Sequence, residues 1–428
     1  MRATLAIVLL TLLAACGGGG GSGTTTGSSS GSPSSGMLGS GSGSSGASSS
    51  GSGSGTSSGS TSGSSSGAST CSTGFLGRNH LLVGASMEDA TAAAAPFDAR
   101  YLYLAGGIPP VAACVSSCNA AANCGNWWGC WQDFSKAPGL YATDFVAKGT
   151  AAKWQGAARP QVPMFTYYEI LQSSGVAEGV AEVSALNNAA FLTRYFDDWR
   201  FLLQKIGNAQ VMLHIEPDFW GYVRQANANP HALPAPVASA NATDCAGQEN
   251  SVAGFSRCMI AMVRKYAPNA AVGLHASDWL MPYITNDGQV LGNFLVELGA
   301  GDSDFVGTDA SDRDAGYYQS LGRDTWWTDA DAQQFLAWSK LVADTVGKPT
   351  VLWQIPVGNM AQNNTTKHWQ DNRVDYLFAH LVDVVKSGIV ALMFGAGESQ
   401  QTTPETDGGN LVAKTTANWQ AGGTSLCQ

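Results

Sequence analysis

Val211-Met212-Leu213-His214-Ile215-Glu216-Pro217-Asp218-Phe219 is an apolar run that ends in two carboxylates separated by one proline. Such a run reads as a buried strand, and the proline fixes the backbone where the strand stops. Glu216 and Asp218 therefore stand at a rigid strand mouth. Barrel and open α/β folds gather their reactive groups at such mouths. The fold then depends on how many similar strands the chain holds and what separates them.

Seven further apolar strands are predicted, so that the set covers residues 81–84, 101–104, 162–167, 210–215, 271–275, 304–308, 350–355 and 389–394. Between the third and fourth, Phe191, Tyr195, Trp199, Leu202 and Ile206 recur at helical spacing. Phe335, Leu336, Leu341 and Val342 do so before the seventh, and Val374, Leu377, Phe378, Leu381 and Val385 before the eighth. Alternation of strand and helix predicts an α/β chain folded as a (β/α)8 TIM-like barrel, either regular or distorted, with disulfide-stapled loops. In the second unit the expected helix is replaced by a cysteine-rich loop around Trp127 and Trp128.

The ends are of a different character. Arg2, an apolar run and Leu13-Ala14-Ala15-Cys16 make a secretory signal over residues 1–15 that resembles a bacterial lipobox, with Cys16 as the lipidated residue. Residues 16–70 are almost wholly Gly, Ser and Thr, with no charge between Arg2 and Arg78. Such a segment has nothing to bury and is expected to be a disordered leash. Its typical span is roughly 40 Å and its stretched limit ~180 Å. The expected location is the cell envelope, at the outer membrane or cell surface, or outside the cell. The only membrane contact expected is the lipid anchor.

Residues 71–428 then form one domain, expected to be monomeric. The chain carries a net charge of −10 and no basic cluster, which excludes nucleic acid as a partner. Eight cysteines remain after Cys16. In an oxidising compartment they predict Cys245–Cys258, Cys71–Cys427 and two bridges among Cys114, Cys118, Cys124 and Cys130, whose pairing is open.

The strand ends carry a recurring chemistry. Tyr168 and Glu169 follow the third strand, and His214, Glu216, Asp218 and Trp220 the fourth. His275, Asp278 and Trp279 follow the fifth, Asp309 the sixth, Trp353 and Gln354 the seventh, and Glu398 and Asp407 the eighth. Carboxylates, histidines, amides and tryptophans converging on one barrel mouth fit glycoside hydrolysis. That reaction needs a protonated carboxyl for the leaving oxygen and a second carboxylate as base or nucleophile. Trp127, Trp128, Trp220, Trp279, Trp326, Trp327 and Trp353 are candidate platforms for sugar rings, with Trp220, Trp279 and Trp353 preferred. No cofactor and no metal are expected.

Ile215-Glu216-Pro217-Asp218 resembles the Glu-Pro-Asp motif of glycoside hydrolase family 6, the cellobiohydrolases and endoglucanases of distorted-barrel fold. The resemblance covers roughly residues 190–280. It includes the spacing of Cys245 and Cys258 after the motif and the strand running from Val272 into Trp279. It implies that Asp218 is the general acid and that the substrate is a cellulose-like glucan. Elsewhere the chain departs from the family: Tyr167-Tyr168-Glu169-Ile170 replaces its Tyr-Asp-x-Pro-x-Arg-Asp-Cys motif, and its late Lys-Pro-Gly-Gly-Glu motif is absent. Retaining barrel glycosidases place a nucleophilic Glu where Gln354 stands, so an inverting reaction is expected, with Asp309 as base and Glu216 and Glu169 tuning the acid. Glu398 and Asp407 are alternative bases.

Two other readings compete: a non-catalytic glycan-binding surface lipoprotein, and a metal-dependent carbohydrate esterase or deacetylase with metal on His214, Glu216 and His275.

Overall fold

The structure is a computed structural model that describes residues 74–277 and 287–427. Eight strands close into a parallel barrel in chain order: β1 Leu82–Ala85, β2 Ala99–Leu104, β3 Val162–Tyr167, β4 Met212–Ile215, β5 Ala271–Ala276, β6 Phe305–Thr308, β7 Thr350–Ile355 and β8 Ile389–Phe394. Their positions agree with the predicted strands to within two residues. Six of the eight strands are buried throughout, and β2 and β8 are half-buried only at Leu102, Tyr103 and Val390, which is why the strands read as near-continuous apolar runs. Leu82, Ala99, Met164, Met212, Phe305, Val351 and Met393 fill the interior. Residues of the other parity, such as Phe165, Leu213, Val272 and Leu352, pack outward against the helices.

The aromatic stripe after β3 becomes the helix Ala189–Ile206, started by Asn188, whose side chain accepts from the amides of Ala190 and Phe191. The stripe before β7 becomes the helix Asp329–Val346, opened by a Thr328–Asp331 capping box and closed at Gly347 with φ +71°. The stripe before β8 is divided at His380 into Arg373–Ala379 and Leu381–Lys386.

The second unit corrects the sequence reading. The cysteine-rich loop does not replace a helix; it precedes one, Leu140–Thr150. The loop itself is a series of short 3-10 turns stapled by Cys114–Cys124 and Cys118–Cys130. Cys245–Cys258 is formed as expected. Cys427 is disulfide-bonded, and Cys71, its expected partner, lies outside the described residues, as does Cys16. Each closed loop of 10 to 13 residues removes chain entropy worth on the order of 3 kcal/mol.

One seam of the barrel is short. β2 pairs with β3 at six positions, Ala99 to Leu104, but with β1 only at Gly84–Ala99 and Ala85–Arg100. Beyond Arg100, β2 runs past the end of β1.

The loop after β2 is tied to the barrel wall by a buried carboxylate. Asp198, on the helix Ala189–Ile206, accepts from Trp127 Nε1 at 2.6 Å, Trp128 Nε1 at 3.0 Å and Tyr167 Oη at 2.6 Å. Burial pushes its carboxyl up to about 6 while the three donors pull it down, so at neutral pH it is mostly a carboxylate with three partners. Asp198→Ala strands three buried donors and should lower unfolding stability by roughly 3–5 kcal/mol. Thermal or denaturant unfolding measures this; a loss below about 1 kcal/mol would remove Asp198 as the anchor.

Candidate active site

The barrel interior changes character toward its C-terminal end. Below it is apolar; above come Tyr101 and Tyr103 from β2, His214 from β4, His275 from β5, Trp353 and Gln354 from β7, and Asp309 just past β6. These side chains touch one another. His275 Nε2 lies 2.8 Å from Asp309 Oδ1, and His275 Nδ1 lies 3.0 Å from His214 Nε2. Trp353 packs edge-on against both imidazoles, with centroids at 4.8 and 5.6 Å, and against Tyr103 at 5.7 Å. Gln354 Nε2 donates to Tyr103 Oη.

The direction of the histidine chain follows from its surroundings. His214 Nδ1 is buried and has no hydrogen-bond partner among the described residues. A proton there would be an unsatisfied donor, which costs more than a bare acceptor. His214 therefore donates through Nε2 to His275, and His275 donates through Nε2 to Asp309. Burial, then the neighbouring His275, hold His214 well below the ordinary histidine value, so it stays neutral. Glycine makes the pair possible: a Cβ on Gly307 would come within 2.5 Å of His214 Nε2 and 2.9 Å of His275 Nδ1.

The two carboxylates of the Glu-Pro-Asp motif part company. Glu216 takes φ +44°, a left-handed backbone uncommon outside glycine. Its side chain is fully buried, with Oε1 accepting from the amides of Glu169 (2.8 Å) and Ile170 (3.1 Å) and from Tyr195 Oη (2.7 Å). Asp218 instead begins the helix Phe219–Ala226 and is half-buried, within electrostatic reach of Glu182 and Tyr222. Glu169 is buried too; its Oε2 accepts from Gly107 N at 2.5 Å. Burial first, then the charges of Asp198 and Glu216, drive its carboxyl well upward. Glu216 and Glu169 have no accessible surface, so neither reaches substrate.

Other predicted contacts are also relocated. Trp220 is core: its ring packs on Phe219 and Phe255, and Nε1 donates to the Ile215 carbonyl at 2.7 Å. Trp127 and Trp128 are committed to Asp198, and Trp327 is buried against Phe335; none is a sugar platform. Asp407 is buried and pins a turn, accepting from Gly409 N and Leu411 N at 2.7 Å, so it does not face substrate. Tyr168 is buried where β3 ends. Asp278 and Trp279 lie outside the described residues. The proposed metal trio does not assemble, because Glu216 is engaged with Tyr195 and two amides while the histidines bond to each other. Among the described residues no group of three or more His, Cys, Asp or Glu is placed to hold a metal ion.

Glu398 lines a cavity of about 820 Å³ that flanks the mouth beside β2. Arg313 Nε stands 3.7 Å from its Oε2. Tyr101 and Tyr103 line the same cavity. Sequence reading missed these two tyrosines, although Tyr101-Leu102-Tyr103-Leu104 alternates with the strand period and puts both rings on one face.

The strand pairing makes this chain a (β/α)8 barrel with a polar, hydrogen-bonded layer at its C-terminal mouth. No protein-family model and no curated protein matches its sequence. Among solved structures, an endo-beta-1,4-mannanase double mutant from Cellulomonas fimi is similar over 78% of this chain and 70% of its own, at 12% identity and a TM-score of 0.47. GH26C from a Muricauda species is similar over 79% of this chain and 86% of its own, at 9% identity and a TM-score of 0.46. The endoglucanase Cel6 of Mycobacterium tuberculosis is similar over 52% of this chain and 58% of its own, at 15% identity and a TM-score of 0.28. At these values the barrel rests on its own strand pairing, and the likeness says nothing of what this chain acts on.

Burial raises the Glu216 carboxyl from 4.5 to about 8, against the lowering effect of its hydrogen bonds and aided by Glu182. A folded-state value above the unfolded one means the folded protein holds a proton the unfolded chain has released. Stability is then fully present below about pH 4.5 and lost as pH rises through about 8. Glu182 and Asp314, each raised to about 7 by burial, add in the same direction. These groups should lower the unfolding free energy between about pH 5 and 9, Glu216 by about 5 kcal/mol, and above about pH 6.5 they do so free of the opposite slope of the buried, neutral His214. Glu216→Gln, which mimics the protonated acid, should flatten much of that slope in denaturant titrations. An unchanged slope would show that Glu216 ionises normally.

Proposed function

We propose that residues 71–428 form a glycoside hydrolase that cleaves a β-linked polysaccharide, with a cellulose-like glucan as the first substrate to try. The observation that carries this reading is the polar layer itself. An apolar barrel gains nothing in stability from a histidine pair, a carboxylate, an amide and two tyrosines at one end, whereas a sugar ring needs such partners beside an apolar face, and the half-buried ring of Tyr103 offers one.

Asp309 is the proposed base. Its Oδ1 is held by His275, which fixes the carboxylate and leaves a second oxygen to take a proton from an attacking water. Asp218, at the mouth of β4, is the proposed acid that protonates the leaving oxygen. Glu216 and Glu169 sit behind it and shape the turn that presents it. Gln354, bonded to Tyr103, has no nucleophilic oxygen to offer, which favours direct displacement by water and inversion. His275 is a positioning residue, and His214 sets its tautomer. The sequence-based reading of residues 1–70 as a lipidated signal and Gly/Ser leash would present this domain to a polymer at the cell envelope.

The test measures reducing ends released from β-glucans, mannans, xylans and chitin by the polypeptide of residues 71–428 and by Asp218→Asn and Asp309→Asn. Release by the wild type should fall by roughly 10²–10⁴-fold in each variant. His275→Gln should lower kcat and shift the pH profile with little change in KM. Binding of a polymer by wild type and variants alike, with no release by any, would establish a glycan-binding protein instead.

A further inference from the structure

The cavity beside the mouth lies where β2 runs past β1: Arg100 to Tyr103 line it together with Ser86 to Asp89 after β1 and the helix Leu140–Thr150. Its inner wall carries Tyr103, which touches Trp353 at the barrel centre with ring centroids 5.7 Å apart. Its outer wall is the helix Leu140–Thr150, which contributes Tyr141 and Phe145. Tyr141 in turn meets Trp131 edge-to-face at 5.3 Å, and Trp131 is 38% exposed. Two ring pairs therefore bracket the cavity: Tyr103 with Trp353 behind it on one side, and Tyr141 with Trp131 behind it on the other, Tyr103 and Tyr141 being the members that line it.

The outer rings are held in place. Trp131 follows Cys130, whose disulfide to Cys118 closes the stapled loop. Gly106, just past β2, has no side chain where one would collide with the Trp131 ring at 2.3 Å. The polar groups between the rings are largely paired with each other: Arg100 with Asp89 at 2.9 Å, and Lys148 with Asp89 and Asp144 at 3.0 Å. Acidic side chains outnumber basic ones along the lining, Glu398 and Glu405 among them. Such a surface repels a polyanion, accepts hydroxyl protons and stacks on apolar ring faces.

The geometry points to this lateral groove as a binding site for the part of a neutral glycan chain that extends beyond the reacting sugar, with Tyr141 and Trp131 as its outer contacts. The inference rests on the glycosidase reading and adds a path and a substrate class: neutral, extended chains in preference to polyuronates. The volume of about 820 Å³ is near the upper end of the roughly 300–1,000 Å³ typical of small-molecule pockets.

Calorimetric titration of the full chain with cello- and manno-oligosaccharides of two to six sugars tests it. Affinity should rise with chain length in the wild type. In Trp131→Ala it should fall roughly tenfold for the hexamer and stay unchanged for the dimer, since one lost stacking contact is worth about that much. Trp131→Phe should restore part of the loss. Tyr141→Leu, one ring further in than Trp131, should weaken the tetramer as well. Equal hexamer affinity in wild type, Trp131→Ala and Tyr141→Leu would overturn the groove while leaving the mouth intact. Tighter binding of oligogalacturonates than of neutral oligomers would overturn the substrate class. Failure of the wild type to bind any oligosaccharide would overturn the groove and the glycosidase reading together.

Discussion

Asp198 accepts from three donors in two parts of the chain and itself stands on a third. Trp127 and Trp128 come from the stapled loop, Tyr167 from β3, and Asp198 itself from the helix covering that strand. A hydrogen bond between buried groups is worth little more than its exchange with water, but breaking one side is expensive. Three at one carboxylate therefore act less as glue than as a condition: loop, strand and helix are correct together or not at all. The disulfides reduce the loop's freedom, yet they join the loop only to itself. The carboxylate docks it on the barrel, and through it the ring of Trp131 reaches its place beside β2.

The same layer holds Glu216 and Glu169, so three acids share one dry region between β3, β4 and their covering helix. They do not all carry charge there. Like charges in a low dielectric raise one another's proton affinity, and Asp198, whose three donors engage both of its oxygens while those of Glu216 all fall on Oε1, is the one kept ionised. Glu216 remains largely neutral and is valuable as an acceptor for two amides and a tyrosine hydroxyl. Its left-handed backbone makes Pro217 and Asp218 leave the strand at an angle that a regular extension would not give. The glutamate of the motif is thus the support, and the aspartate is what it supports.

That division was not legible in the sequence. Strands were, because burial on both faces forces continuous apolar runs; the helix Ala189–Ile206 was, because its stripe is wide and aromatic; Cys245–Cys258 was, because the spacing leaves few alternatives. A carboxylate at a strand end, however, looks the same whether it faces water or a tyrosine from a helix twenty residues upstream. Glu216, Glu169, Trp220 and Asp407 were placed at the mouth by position, and each is claimed by a tertiary partner. His214, His275 and Asp309 were placed there on the same grounds and do meet. What made them meet, Gly307, carries no chemical signal of its own. The helix Leu140–Thr150 was overlooked because four cysteines drew the reading toward a loop.

The short β1–β2 seam connects these observations. Closing a barrel fully on every seam would put a complete wall between Tyr103 and the helix Leu140–Thr150. With only two paired positions, the C-terminal half of β2 keeps one edge beside open space, and backbone so placed must be sheltered or solvated. Gln132, Asp133 and Lys136, which follow the stapled loop, line the space beside that edge. The proposed groove runs over that incomplete seam, and β2 lines it with four consecutive residues, Arg100, Tyr101, Leu102 and Tyr103. The disulfide framework does its part at the edge of this space, because Cys130, closed onto Cys118, is the chain neighbour of Trp131, whose ring stands where a side chain on Gly106 would collide with it.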